Sequence, residues 1–439
     1  MSDSINQKIF SAGIVGAGGA GFPSHIKAQS TVEFVLANGA ECEPLIHKDY
    51  ELMVNFAEEI VEGMKILMKE TKAKQGFFGI KMKNSEAIEK VKAAIKDSNI
   101  ELSLLGDFYP SGDEYELVYN ATKRLIPPHG LPLDVGCVVN NVETLYNISR
   151  ALSEKSVTDK FICVNGAVKN PSTFFTPIGT SIKEVLNHAG GPTIKDYSVL
   201  IGGILMGKLI HDLNDVITKT TAGIIVLPKN HYLVERMKRP IHDMNRIGKS
   251  ACDQCSYCTE FCPRYLLGYD VQPHKVMRSL VFTRSGKKYW NQYADLCCSC
   301  GLCSLYACPE DLYPREACDQ SKIELKKFGI RYDQKLPVRV HPIKKGRSVP
   351  LKQLMKKLDI SKFDYPAPFN SDSPKPSNVR INFKQHIGKA AVPVVQKGDN
   401  LNRGDLIADI DSNDLGAKIH ASINGRVIEI NDNLIAISK

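Results

Sequence analysis

The stretch Cys252-x2-Cys255-x2-Cys258-x3-Cys262-Pro263 is answered further on by Cys297-x2-Cys300-x2-Cys303-x4-Cys308-Pro309. Three thiolates at three-residue spacing on a tight loop can hold three irons of a cubane. A fourth Cys followed by Pro serves the other cluster, so two such runs predict a crossed pair of [4Fe–4S] centres in a ferredoxin-like segment. The expected ligands are Cys252, Cys255, Cys258, Cys262, Cys297, Cys300, Cys303 and Cys308. The second run has one extra residue before its last cysteine, and Pro309 supports Cys308 there. Cys297 and Cys298 are adjacent; the spacing to Cys300 favours Cys297, and Cys298 stays open as the alternative. Disulfides need an oxidising compartment, and Met1-Ser2-Asp3-Ser4 does not resemble a signal peptide. Zinc sites usually show paired C-x2-C ribbons rather than four cysteines ending in Cys-Pro, which leaves zinc as the weaker alternative.

Bulk properties exclude several other classes. The 439 residues have 43% hydrophobic and 24% charged content, ordinary for a globular chain of several domains. No apolar run reaches the roughly 18 residues that span a bilayer. The formal charge of +9 comes without a long Lys/Arg block, so it reads as a solvated surface and not a nucleic-acid footprint. Cys42, Cys137, Cys163, Cys298 and Cys318 lie outside the expected ligand set and read as buried reduced thiols. A reducing, cytoplasmic setting is expected.

Outward from the cysteines, the chain divides by pattern. Residues 1–155 alternate like an α/β domain. Phe34–Ala37 and Phe77–Ile80 read as strands; Tyr50–Met68, Ser85–Ile95 and Asn141–Leu152 read as helices. Residues 156–230 look like a small mixed β module, with a strand at Phe161–Val164, turns at Asn165-Gly166 and Asn170-Pro171, and a helix at Ile182–His188. Residues 231–330 carry the cysteine runs between helical stretches. Residues 331–377 are rich in Pro, Lys and Ser and read as a linker. Residues 378–439 are short strands with turns, an all-β module.

Near the N-terminus, Gly16-Ala17-Gly18-Gly19-Ala20-Gly21 fits G-x-G-x-x-G. Such a loop lets backbone N–H groups close on a phosphate, although Pro23 argues against an uninterrupted helix after it. Read with its neighbours, Gly18–Lys27 resembles the FMN loop of the NADH-binding flavoprotein subunit of respiratory complex I. Asn38-Gly39-Ala40-Glu41-Cys42-Glu43-Pro44 and Asn140-Asn141-Val142-Glu143-Thr144-Leu145 resemble the second and third motifs of that family, in the same order. The RnfC family of flavin and iron–sulfur electron carriers shares all three. The resemblance implies that Gly16, Gly18, Gly19 and Gly21 let the backbone approach FMN and that Lys27 meets the flavin or its phosphate. It implies that Asn38, Asn140, Asn141 and Thr144 hold the ribityl chain and phosphate. Glu41 and Glu43 would flank the isoalloxazine and the nicotinamide ribose, and Phe22 would stack on the nicotinamide side. Between the second and third motifs, Tyr109-Pro110-Ser111-Gly112-Asp113-Glu114 departs from the complex I pattern towards that of RnfC.

The other modules extend the resemblance. Phe161–Pro228 is similar to the β-grasp (SLBB-like) module that follows the flavin domain in these proteins. The segment from Gln385 to Gly425 is similar to a barrel-sandwich hybrid, the lipoyl-domain shape. Its hairpin tip Ser422-Ile423-Asn424-Gly425 has no carrier lysine, so it implies docking or cover. A C-terminal position for this module, with Cys262–Gly268, Pro273–Leu280 and Cys303–Pro309, matches the cobalamin reductases of propanediol-utilisation microcompartments. The fold class implied is multidomain α/β and α+β: an FMN-binding α/β domain, a β-grasp module, a helical dicluster ferredoxin-like domain and a C-terminal all-β barrel-sandwich hybrid. The activity implied is an NADH-dependent FMN and 4Fe-4S oxidoreductase passing electrons to a corrinoid, with no side chain as acid, base or nucleophile. Implied partners are NADH, cobalamin, a corrinoid adenosyltransferase and microcompartment shell or cargo proteins, and the implied location is inside a microcompartment. Two alternatives stay open. One is a relay feeding an amino-acid or glycyl-radical reductase without corrinoid chemistry. The other is a mainly docking role. None of His188, His211, His274 and His386 is assigned to cobalt.

Overall fold

A computed structural model describes residues 4–282 and 291–439. Met1-Ser2-Asp3, and residues 283–290 within the cysteine-bearing segment, lie outside the described residues. The N-terminal unit is built on four parallel strands in the order Ile100–Leu105, Gln75–Lys81, Phe34–Gly39, Cys137–Asn141. Parallel pairing needs crossover connections, here the helices Ala57–Glu70, Ser85–Ala94 and Glu114–Thr122. The chain moves one way from the Phe34–Gly39 strand and later returns to its other side. The switch point therefore lies between Phe34–Gly39 and Cys137–Asn141, where open α/β sheets bind ligands.

The helix expected over Tyr50–Met68 is two helices, Lys48–Asn55 and Ala57–Glu70, broken at Phe56. Phe56 leaves helical geometry (φ −138°, ψ 34°). Its ring enters a cluster with Tyr146, Phe161, Phe175 and Phe369. Gly63 lets the second helix lie against Val142–Ala151, because a Cβ there would stand 1.9 Å from the Leu145 carbonyl oxygen.

The next unit is a five-stranded sheet in the order Ser172–Pro177, Asp159–Gly166, Gly223–Pro228, Tyr197–Ile201, Lys208–Ile210. The central pair is parallel and the others antiparallel, with the helix Ile182–His188 started by a Ser181/Glu184 capping box. The cysteine-bearing unit is made of short helices, chiefly Ile241–Ala251, Pro273–Ser279 and Pro314–Lys327. Residues 331–377, expected as a linker, run as an ordered strap. Val349–Pro350 pairs with Phe108–Tyr109, and the helix Leu351–Lys357 buries Leu351, Leu354 and Met355. Apolar residues at helical spacing bind this segment to the core despite its polar composition. The last unit holds two small antiparallel sheets, one around Leu434–Ser438 and one around Leu406–Asp409. No helix among the described residues is long and apolar enough to cross a membrane.

Candidate functional site

The glycine loop is closed at its base by a bridge between Val15 and Pro23 and by the Gly16 N–H donating to the Phe22 carbonyl at 2.9 Å. Pro23 then caps a short helix, Ser24–Ala28. The loop faces the C-terminal ends of the two strands at the switch point, where Asn38 and Asn141 are register partners. Together they enclose a cavity of about 370 Å³, lined by Gly16, Gly18, Gly19, Gly21, Phe22, Lys27, Asn38, Asn140 and Asn141. Gly112 and Glu114 complete one wall, and Leu131, Pro132 and Val139 give an apolar one.

Each polar group here has an identifiable state. Lys27 donates to the Val139 carbonyl at 2.7 Å; burial lowers its pKa, against the pull of Glu114. Burial raises Glu114, with Lys27 opposing. The Asn38 amide donates to the Gly112 carbonyl at 2.8 Å. Asn140 is buried and its Nδ2 has no partner among the described residues. A buried donor with nothing to meet is costly, so this amide fits a ligand acceptor. The volume, the apolar wall, the glycine edge and the ammonium together suit a planar heteroaromatic carrying a phosphate.

Other expected residues hold the cavity's surroundings, Asn141 from its lining. The Thr144 hydroxyl accepts from the Ala17 N–H at 3.0 Å, holding the glycine loop. Asn141 donates to Asp49 and caps the helix that follows. Glu43 is committed inside the protein, since its carboxylate accepts from the N–H groups of Ile204, Leu205 and Met206 at 2.9–3.0 Å. Glu41 has a buried Oε2 without a partner among the described residues, and burial pushes its pKa up to about 8. Lys160, from the second unit, binds Glu143 and the Ala17 carbonyl, and burial lowers it to about 8. Sequence reading missed Lys160, because nothing in a strand pattern marks an inward lysine as a partner for a distant loop.

The cysteines fall into two groups that cross between the runs. Cys252, Cys255, Cys258 and Cys308 line one cavity, beside His274 and Met277. Among the described residues no three of these side chains converge on a single-ion position. Thiols around a cavity suit ligands that bind different irons of one cluster. Cys262 lies with the second run: Cys297 and Cys298 act on its thiol, and Cys262 and Cys303 act on that of Cys300. Cys297 stands beside Cys318 and Cys298 beside Cys300. The extra residue before Cys308 is absorbed by a five-residue π-helical turn, Cys303–Ala307, a device that fits one more residue into a helical turn. N–H groups reach the sulfurs of both groups: Gln254 to Cys252 at 3.1 Å, Ser299 to Cys297 at 3.3 Å and Leu312 to Cys308 at 3.3 Å. Such bonds tune cluster potentials.

The segment Tyr109–Glu114 joins this unit to the flavin-type cavity. The buried Tyr109 hydroxyl donates to the Cys300 carbonyl at 2.7 Å. Arg264, next but one to Cys262, pairs with Asp113 at 2.9 Å and stacks 3.5 Å from the Tyr115 ring centre.

With this geometry in place, comparison with known proteins is specific. Residues 9–150 match the Nuo51 FMN-binding domain, 161–207 the SLBB domain, 251–313 a 4Fe-4S dicluster domain and 370–439 the RnfC barrel sandwich hybrid domain. The chain is 39% identical over 437 residues to the cobalamin reductase PduS of Salmonella typhimurium, covering 99% of this chain and 96% of that one. It belongs to the PduS cobalamin reductase family. The Citrobacter freundii PduS is 38% identical over the same shares. A component of the Na+-translocating ferredoxin:NAD+ oxidoreductase complex of Acetobacterium woodii is 35% identical over 60% of this chain and 59% of its own length. As a family member, the chain is an oxidoreductase that combines an FMN-binding domain with a 4Fe-4S dicluster domain.

Proposed function

We propose that this protein oxidises NADH and reduces cob(III)alamin to cob(II)alamin and on towards cob(I)alamin, so that a corrinoid adenosyltransferase can regenerate coenzyme B12. The observation that carries the reading is the near full-length likeness to two cobalamin reductases. When bound, a flavin accepts a hydride as a pair and releases electrons singly, and cubanes carry them one at a time. The chain's own residues bind and orient. Gly16, Gly18, Gly19 and Gly21 let backbone approach the flavin, Lys27 meets its phosphate as a point charge, and the free Asn140 amide supplies a donor. Thr144 and Lys160 hold the loop from behind. Burial pushes the Glu41 carboxyl up to about 8, which favours its neutral form. Cys252, Cys255, Cys258 and Cys308 hold one cluster. Cys262, Cys297, Cys300 and Cys303 hold the other.

The likeness to the ferredoxin:NAD+ oxidoreductase component favours a second reading, an electron relay feeding another reductase. An anaerobic assay of cluster-loaded, FMN-reconstituted protein with NADH and hydroxocobalamin separates the two. Conversion of the corrinoid spectrum to that of cob(II)alamin is expected. An unchanged corrinoid spectrum, with NADH still consumed by an artificial one-electron acceptor, would leave the relay.

A further inference from the structure

A second cavity, of about 770 Å³, opens on the other side of the glycine loop. Gly18, Gly19 and Ala20 line both cavities, so the wall between them carries no side chain larger than a methyl. Three units meet here. The loop comes from the first, residues 201–222 from the β-grasp unit, and Arg380, Asn382 and Leu434 from the C-terminal unit. One wall is formed by Gly202, Met206 and Gly207 at the two ends of the turn Gly203–Gly207. Glu43 holds its backbone from one side, and Gly301 of the second cysteine run packs on it, with an added Cβ at 3.1 Å from the Leu205 oxygen. The cavity is thus one loop away from the flavin-type cavity and one loop away from the second thiol group.

We infer that this three-unit cavity binds the corrinoid acceptor, a large macrocycle fringed with primary amides. The assignment rests on the cobalamin reading above and adds the place. The volume is about twice that of the flavin-type cavity. The polar lining is hydroxyl and amide: Thr218, Thr220, Thr221, Asn214 and Asn382. These groups match an amide fringe, as both donors and acceptors. Ile201, Ile210, Val216 and Leu434 give an apolar surface for the macrocycle face. Lys208, Arg380 and Asp215 also line the cavity, and Arg380 is turned onto the Asn214 carbonyl. Reaction type points the same way. A hydride donor has to stand in van der Waals contact with the flavin ring and belongs in the first cavity. A one-electron acceptor needs only closeness.

The test uses the full chain loaded with FMN and clusters, with hydroxocobalamin as probe and equilibrium dialysis as readout. Met206 and Asn214 are exposed on the rim, so M206W and N214W narrow the cavity without entering the core. Iron and flavin content and the flavin spectrum check that each variant is assembled. The expected result is hydroxocobalamin binding to the wild type, weakened roughly tenfold or more in each variant, and no displacement by NAD+, which cannot reduce the probe. Equal binding by wild type and both variants overturns the location while the cobalamin reading stands. Competitive displacement by NAD+ assigns the cavity to the dinucleotide and also overturns it. A wild type that neither binds nor reduces the corrinoid overturns the cobalamin reading itself.

Discussion

The two thiol groups are built alike in sequence and set differently in the fold. The group of Cys252, Cys255, Cys258 and Cys308 is enclosed by its own unit, and Cys255 is exposed. The group of Cys262, Cys300 and Cys303 is buried and tied to the flavin-type domain through Tyr109, Asp113 and Arg264. Repeated motifs thus acquire an order from their surroundings. The inner group is linked to the flavin-type domain and the outer group reaches the surface, so under the proposed function electrons would enter at the inner one. The turn Gly203–Gly207 adds to this asymmetry, because it packs on Gly301, the neighbour of Cys300 in the inner group.

Substitutions can break this comparison, and cysteine changes have the largest expected effect. C255A and C303A should each lose about half the iron and keep FMN. The crossing adds a sharper demand. C308A should give the iron–sulfur spectrum of C255A, and C262A that of C303A. Iron assay and electron paramagnetic resonance check this, and matching spectra within each run would remove the crossing. Separate C297S and C298S variants decide between the two adjacent cysteines in the same assay.

G18V comes next. Its side chain would press on Asn141, which a Cβ alone would approach to 3.2 Å. Flavin content should fall to near zero with iron unchanged. R264M breaks the link between the inner group and the flavin-type domain and leaves Asp113 unpaired, at a cost of about 2–4 kcal/mol in urea unfolding. The matching change on the outer side, Q254A, should cost well under that, because the Gln254 hydrogen bond to the Cys252 sulfur stays within its own unit.

Glu41 gives a pH signature. Its folded pKa near 8 lies above the ordinary carboxyl value, so the unfolded chain releases the proton first as pH rises. The stability this group contributes is present at low pH and is lost as pH rises towards 8. Relative to E41Q, the wild type should lose about 1–3 kcal/mol between pH 5 and pH 8, read from urea midpoints at the two values. The smallest effect belongs to Y109F, which leaves the Cys300 carbonyl without its donor at about 1 kcal/mol.

Local chemistry made much of this molecule legible before any coordinates. The cysteine spacing, the three flavin-type motifs and the helix Ile182–His188 each depend on residues close in the chain. What escaped depends on distant partners. Phe56 breaks a helix because Phe369 and Phe161 wait for its ring. The strap 331–377 reads as a linker by composition, yet Leu351, Leu354 and Ile360 anchor it. Glu43 matches a family motif, but its carboxylate closes on the backbone of another unit. Lys160 and Arg264 carry no local signature, since their roles exist only where two units meet.

The most direct test of the inner and outer assignment is an anaerobic NADH titration of FMN-reconstituted C255A and C303A, followed by electron paramagnetic resonance. C255A retains the inner cluster and C303A the outer one. The account predicts that NADH reduces the remaining cluster readily in C255A and far more slowly in C303A. Equal rates in the two, or faster reduction in C303A, would contradict it.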